Sequence, residues 1–245
     1  VQASRSSKDR CDVEAKDLHV CKTPIGAFVN CDASDDHGIQ RCRELNVVSS
    51  GMADVVVSSR FVHAASLFDE DHQGRAFTIM RHPIDRMVSI FYYLQEANWE
   101  PQFDRGLKNI TLVDYAKRKD TATNWMIRLL TGQMTKSNLS RDDLELAKEI
   151  IEKKFFILLT KEMEGSINKL VRHMNYKVSN EGKECIKENV AKIYNELVHP
   201  EIDPNSEAYA IFKEKNALDI ELYEFAEALF SKQWADIPGD QLRLD

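Results

Sequence analysis

Four short apolar runs break a chain that is otherwise patterned at helical spacing: Ile25 to Asn30 (IGAFVN), Asp54 to Ser58 (DVVVS), Ala76 to Met80 (AFTIM) and Phe155 to Thr160 (FFILLT). Each is short for a helix and rich in β-branched or aromatic side chains, the pattern of buried parallel strands. Between and after them, apolar residues recur every three or four positions. Ile84, Met87, Val88, Phe91 and Tyr92 form one such stripe, and Pro83 stands where a first-turn proline is favoured. Thr111 with Asp114 and Ser140 with Asp143 have the spacing of capping boxes, ahead of VDYAKR and LELAKEIIEKK. From about Cys185 to Trp234 the pattern predicts two or three further helices, interrupted near His199-Pro200 and Asp203-Pro204. Strands alternating with helices predict an α/β layer fold with a central parallel sheet and a helical C-terminal part.

Composition narrows the function classes. The length of 245 residues suits one α/β domain or two small ones, and 43% hydrophobic with 30% charged residues reads as globular. A net charge of −7 supplies no global basic field for nucleic acid, so an anionic ligand must meet a local basic cluster. No run reaches the length of a transmembrane helix, and the start VQASRSSKDR is not a signal peptide, which places any targeting information outside this chain. The nine glycines lie at least twelve positions apart. That spacing excludes both the dinucleotide fingerprint and the P-loop, each of which needs two glycines within about six residues.

Cys11, Cys21, Cys31 and Cys42 cluster at the start and Cys185 stands alone. Their spacings match no zinc pattern, so no metal is expected, and four clustered cysteines allow three pairings among themselves. Two glycosylation sequons, Asn109-Ile-Thr and Asn138-Leu-Ser, together with one or two disulfides, fit the secretory pathway.

The segment with most chemistry is Arg75 to Leu94, RAFTIMRHPIDRMVSIFYYL. A buried strand runs into Arg81, turns at His82-Pro83 and enters a helix whose second turn carries Ser89. Ligands of open parallel sheets collect at the carboxyl ends of strands, where a helix N-terminus offers free N–H groups and a positive dipole. Arg81 adds a bidentate donor there, and side chains tilt toward the helix N-terminus, which aims the Ser89 hydroxyl at the same anion. The competing reading is a plain strand-turn-helix in which Arg81 or Arg86 pairs with a carboxylate and Ser89 is a small helix residue.

TIMRHPIDRMVSIFYYL resembles the sulfotransferase motif for the 3′-phosphate of 3′-phosphoadenylyl sulfate (PAPS), in the form found in Golgi-type glycan sulfotransferases. The resemblance implies a P-loop-NTPase-like three-layer fold over a single domain, residues 1–245, with Arg81 and Ser89 holding the 3′-phosphate. His82 stands where the family usually has an acidic residue, and Arg86 matches its second arginine. Three further stretches are similar to family segments: Asn124-Trp-Met-Ile-Arg128-Leu-Leu-Thr-Gly132, Phe156 to Ser166, and Asn216-Ala-Leu-Asp-Ile-Glu-Leu-Tyr223. The match covers residues 54 to 230. The family's 5′-phosphosulfate loop has no counterpart before residue 54, since Thr23-Pro-Ile-Gly26 precedes its strand where the loop should follow one. That loop is expected upstream of Val1, or is lost.

What the resemblance implies is in-line sulfuryl transfer from PAPS to a hydroxyl of a glycan or similar acceptor, in the Golgi lumen or elsewhere in the secretory pathway. His63, just after the DVVVS run, is the candidate general base, competing with an ordinary cap histidine; His82 is a second candidate. Arg60 is a candidate contact for an acidic acceptor, and Lys153, Lys154 and Lys161 read as a solvated face. Two alternatives stay open: a sulfotransferase-like module that binds nucleotide or glycan without turnover, and another nucleotide-dependent transferase such as a small-molecule kinase, against which stands the lack of Walker patterns.

Overall fold

The computed structural model describes residues 11–12, 15–23, 26–196 and 199–235. They form a mixed α/β structure of ten α-helices and two small sheets, divided into two compact units.

The first unit comprises the described residues up to Gly74 together with 128–136. Strands β1 (Val20–Thr23) and β2 (Gly26–Val29) pair antiparallel, with Thr23 opposite Gly26. The run around IGAFVN is thus one arm of a largely exposed hairpin, not a buried parallel strand, and Pro24 and Ile25 lie outside the described residues. Disulfides Cys11–Cys21 and Cys31–Cys42 settle the pairing. Between them, the buried Asn30 side chain donates to the carbonyls of Asp12 and Asp17 and accepts from the His19 N–H. Helix α1 (Asp36–Glu44) is capped by Asp35, whose side chain accepts from the Gly38 N–H. A Cβ at Gly38 would sit 1.9 Å from the Asp32 carbonyl oxygen, so only glycine fits that turn. The short α2 (Phe61–Ala64) runs into a 3₁₀ turn at Ala65–Leu67.

Asp54 to Ser58, predicted as a strand, is an unpaired loop with Val55 50% and Val57 73% exposed. Valine's β preference reflects packing against strand neighbours, and no described strand offers this run a ladder.

The second unit comprises residues 75–127 and those from Ser137 on. Strand β3 (Ala76–Met80) pairs in parallel with β4 (Phe155–Leu159), Ala76 opposite Phe155 and Met80 opposite Leu159. The intervening chain carries α3 (Pro83–Glu96), α4 (Leu112–Lys117), the start of α5 (Trp125–Thr131) and α6 (Arg141–Lys154). Both capping boxes form as their spacing predicts, Thr111 with Asp114 at α4 and Ser140 with Asp143 at α6. After β4 come α7 (Met163–His173), α8 (Asn180–Glu196), α9 (Glu207–Lys215) and α10 (Ala217–Ala235).

All five residues of β4 are buried, with α6, α7 and α10 packed on it. A second core joins the apolar stripe of α3, including Ile84, Met87, Val88 and Phe91, to Tyr115, Ala208 and Phe212. At roughly 1.5–3 kcal/mol per large apolar side chain buried, that stripe is what fixes α3 and therefore its N-terminus.

The two edges of this sheet differ. The outer edge of β4 is closed by side chains: the Gln233 carboxamide accepts from Ile157 N–H and donates to Phe155 C=O, and Ser166 Oγ accepts from Leu159 N–H and donates to Leu159 C=O. Alternation then directs Ala76, Thr78 and Met80 of β3 toward β4 and turns the backbone groups of Phe77 and Ile79 to the far edge. Among the described residues no hydrogen bond closes that edge, and Ile79 is 49% exposed. The extended parallel sheet expected from the sequence is therefore represented here by two strands with one open side.

Candidate functional site

Arg81 follows the last residue of β3, and His82 is the N-cap of α3, with Pro83 at the first helical position. His82 supplies no side-chain cap; its ring instead meets Tyr223 edge-on, with centroids 5.3 Å apart. The N-cap side chain thus leaves the start of α3 uncapped, and the positive end of the helix lies next to Arg81 in the chain.

The Arg81 guanidinium reaches over this helix end. Its Nη1 donates to Ser89 Oγ at 2.9 Å, and its Nη2 lies 3.1 Å from His199 Nε2. Both partners are neutral in this arrangement. Arg81 is half-buried, and burial holds its pKa below the ordinary arginine value, with Asp85 in the first turn of α3 opposing the shift. A partly desolvated cation whose direct partners are neutral can take up an anion: a phosphate or sulfate would restore the charge balance through bidentate, charge-assisted hydrogen bonds.

His199 was not foreseen from the sequence, where it was only a break between helices. Its ring stacks on Tyr92 of α3, 5.7 Å between centroids and 6° between planes, and its Nδ1 lies 3.2 Å from the Pro200 carbonyl oxygen. A guanidinium only donates, so Nε2 must accept and Nδ1 must carry the ring proton.

Arg86, the second arginine of the motif, has a structural place. It is partly buried and lies over the Trp125 ring, 5.3 Å from its centroid; burial depresses its pKa and the charge of Asp219 opposes that. Asp219 in turn accepts from the N–H groups of Met126 and Ile127 at 2.8 and 3.0 Å, which caps the start of α5. Asn216 accepts from Asn124 N–H, and Asn124 accepts from Asp219 N–H, each at 3.0 Å. Asn124 adopts a positive φ of 47°, tolerable for asparagine, to make this exchange. The Asn124 and Asn216 motifs are thus two halves of one clasp between α5 and α10. Ser166 likewise serves β4.

Tyr223 is buried on α10, and among the described residues its hydroxyl has no hydrogen-bond partner; burial raises its pKa. An unsatisfied buried hydroxyl costs about 1–3 kcal/mol.

His63 belongs to the other unit. It lies on α2, with Nδ1 2.7 Å from Asp36 Oδ1, and Arg60 Nε approaches the same oxygen at 3.8 Å. The carboxylate fixes the ring with Nε2 outward, the arrangement in which a histidine can take a proton from a hydroxyl. Arg60 has Asp36 as its partner, and Lys153 and Lys161 pair with Glu149 and Glu227 on the surface. The first unit also has a cleft of about 120 Å³ between Asn46, Ser66, Phe68 and Asp69, which includes neither His63 nor the Arg81 group.

No protein-family model, curated protein or solved structure matches this chain.

Proposed function

We propose that this chain is a PAPS-dependent sulfotransferase, which transfers a sulfuryl group to a hydroxyl of a glycan or similar acceptor and holds the 3′-phosphate of PAPS at Arg81 and Ser89. The observation that carries the reading is the half-buried Arg81 guanidinium, hydrogen-bonded to Ser89 Oγ at the carboxyl end of a parallel strand and the N-terminus of a helix. Three independent features converge on one anion there: the charge of Arg81, the helix dipole and a hydroxyl that reorients freely. The match to the glycan sulfotransferase motif gives that anion its name, the 3′-phosphate of PAPS.

In this reading β3 and β4 belong to the central parallel sheet of a three-layer, P-loop-NTPase-like fold. The open edge of β3 at Phe77 and Ile79 is where a further strand of such a sheet would pair. Transfer forms a bond from the acceptor oxygen to sulfur, breaks the bond from sulfur to the bridging phosphate oxygen, and releases adenosine 3′,5′-bisphosphate. His63 accepts the acceptor's hydroxyl proton, and Asp36 keeps its Nε2 directed outward. The exposed sequon residues Asn109 and Asn138 and the two disulfides support a luminal, secretory-pathway setting. Among the described residues no helix is long and apolar enough to cross a membrane.

The test is transfer of labelled sulfate from PAPS to a panel of sulfated and unsulfated glycans. The account expects transfer that falls about 100-fold or more in His63→Ala, within the range of general-base contributions, and less in Asp36→Asn. Binding of PAPS with no transfer to any acceptor would reduce the protein to a nucleotide-holding module. Undiminished transfer by His63→Ala would remove the base assignment.

A further inference from the structure

We propose that His199 is a further binding residue of the Arg81 site, which exchanges its hydrogen bond from Arg81 for a proton when a phosphate enters, so that binding takes up one proton. The proposal rests on the nucleotide-phosphate reading above and adds a partner and a pH dependence to it.

In the empty site the ring is neutral, because Nε2 accepts from Arg81 Nη2 at 3.1 Å while Nδ1–H donates to the Pro200 carbonyl. A phosphate oxygen at hydrogen-bond distance from Nη2 would enter the space beside Nε2. Left unprotonated, Nε2 would turn its lone pair on an anionic oxygen, which repels. Protonated, it becomes a charge-assisted donor to that oxygen. The same nitrogen is thus an acceptor for Arg81 when the site is empty and a donor to phosphate when it is filled. The parallel Tyr92 ring holds the imidazole plane in place for either role.

The surrounding charges point the same way. Arg81 faces the ring from the end of β3. From α3, Tyr92 contributes a ring face, and Asp85 acts on Arg81 in the opposite sense. The ring's own segment carries Glu201 and Asp203. The phosphate's negative charge, added between Arg81 and His199, is what makes a second cation there favourable. The proton comes from solvent and returns to it on release; no covalent bond changes.

The experiment is a calorimetric titration of adenosine 3′,5′-bisphosphate into the whole chain at pH about 7.5, where histidine is ordinarily neutral, in two buffers of different ionisation enthalpy. The ligand exchanges protons of its own, so the readout is the difference between wild type and His199→Gln. Wild type is expected to take up about one proton more per ligand than the variant, and its affinity advantage should grow by up to about tenfold as pH falls by one unit. Should the variant fail to fold, the His199 ring-nitrogen resonances of wild type give the answer alone, passing from a pattern with a lone pair on Nε2 to that of an imidazolium on saturation. Binding by both proteins with equal proton uptake, or unchanged ring resonances, would overturn the role of His199 and leave the nucleotide site standing. No binding by wild type would overturn the nucleotide reading itself.

Discussion

Arg81 and Ser89 could be found in the sequence because the groups that make their site are local. Arg81 and Ser89 stand eight positions apart on one strand-turn-helix, which brings a guanidinium and a hydroxyl to 2.9 Å through local geometry. His199 could not be found so, since it reaches Arg81 from 118 positions away and lies in a segment with no periodic pattern. Lys169 is a similar case. Its ammonium is buried, donates to the Phe230 carbonyl at 2.7 Å and faces the Phe230 ring, yet desolvation pushes its pKa down to about 8 from 10.5, with Glu162 opposing. A lysine whose folded pKa lies below its unfolded value binds fewer protons in the folded state. The penalty is full below about pH 8 and is relieved as pH rises to 10.5. Stability contributed by this group should therefore increase with pH across that window, and Lys169→Met should lack the increase. Urea midpoints for the two proteins between those pH values check it; parallel curves would contradict it.

At the scale of elements, composition marked the apolar runs, but which of them became strands depended on whether the fold supplied a ladder partner. AFTIM and FFILLT are strands because each finds the other as a ladder and helices to cover it. DVVVS has the same composition and no ladder among the described strands, so its valines remain in solvent. The clasp of Asn124, Asn216 and Asp219 was visible only as motifs. Its physical meaning, a helix start capped by residues more than ninety positions on, needed three dimensions. Asp219→Ala should leave two N–H groups at the start of α5 unpaired and Arg86 without its nearby carboxylate. We expect a loss of about 2–4 kcal/mol in unfolding free energy, read by denaturant titration. Its affinity for adenosine 3′,5′-bisphosphate should be unchanged once corrected for the folded fraction, because none of these groups touches Arg81. Gln233→Leu should cost about 1–3 kcal/mol by leaving the outer edge of β4 unsatisfied.

At the scale of the whole molecule, composition and spacing foresaw a mixed α/β protein with one or two disulfides; the described residues carry two, and the chain divides into two compact units. The first unit has few buried apolar residues, among them Ile39, Cys42 and Val47, and depends on its bridges. Closing loops of 10 and 11 residues, each bridge is worth about 3 kcal/mol in the chain-entropy account. Reduction should raise amide exchange throughout α1 and the β1–β2 hairpin while β3, β4 and α3 keep their protection; uniform loss of protection would contradict this. The identity of the ligand is the central claim, and it turns on one charge. Calorimetric titration of adenosine 3′,5′-bisphosphate into wild type and Arg81→Ala is the most direct measurement. The account predicts saturable binding by wild type that weakens at least about tenfold in the variant, as expected for loss of a charge-assisted contact. Equal binding by both proteins, or none by the folded wild type, would contradict it.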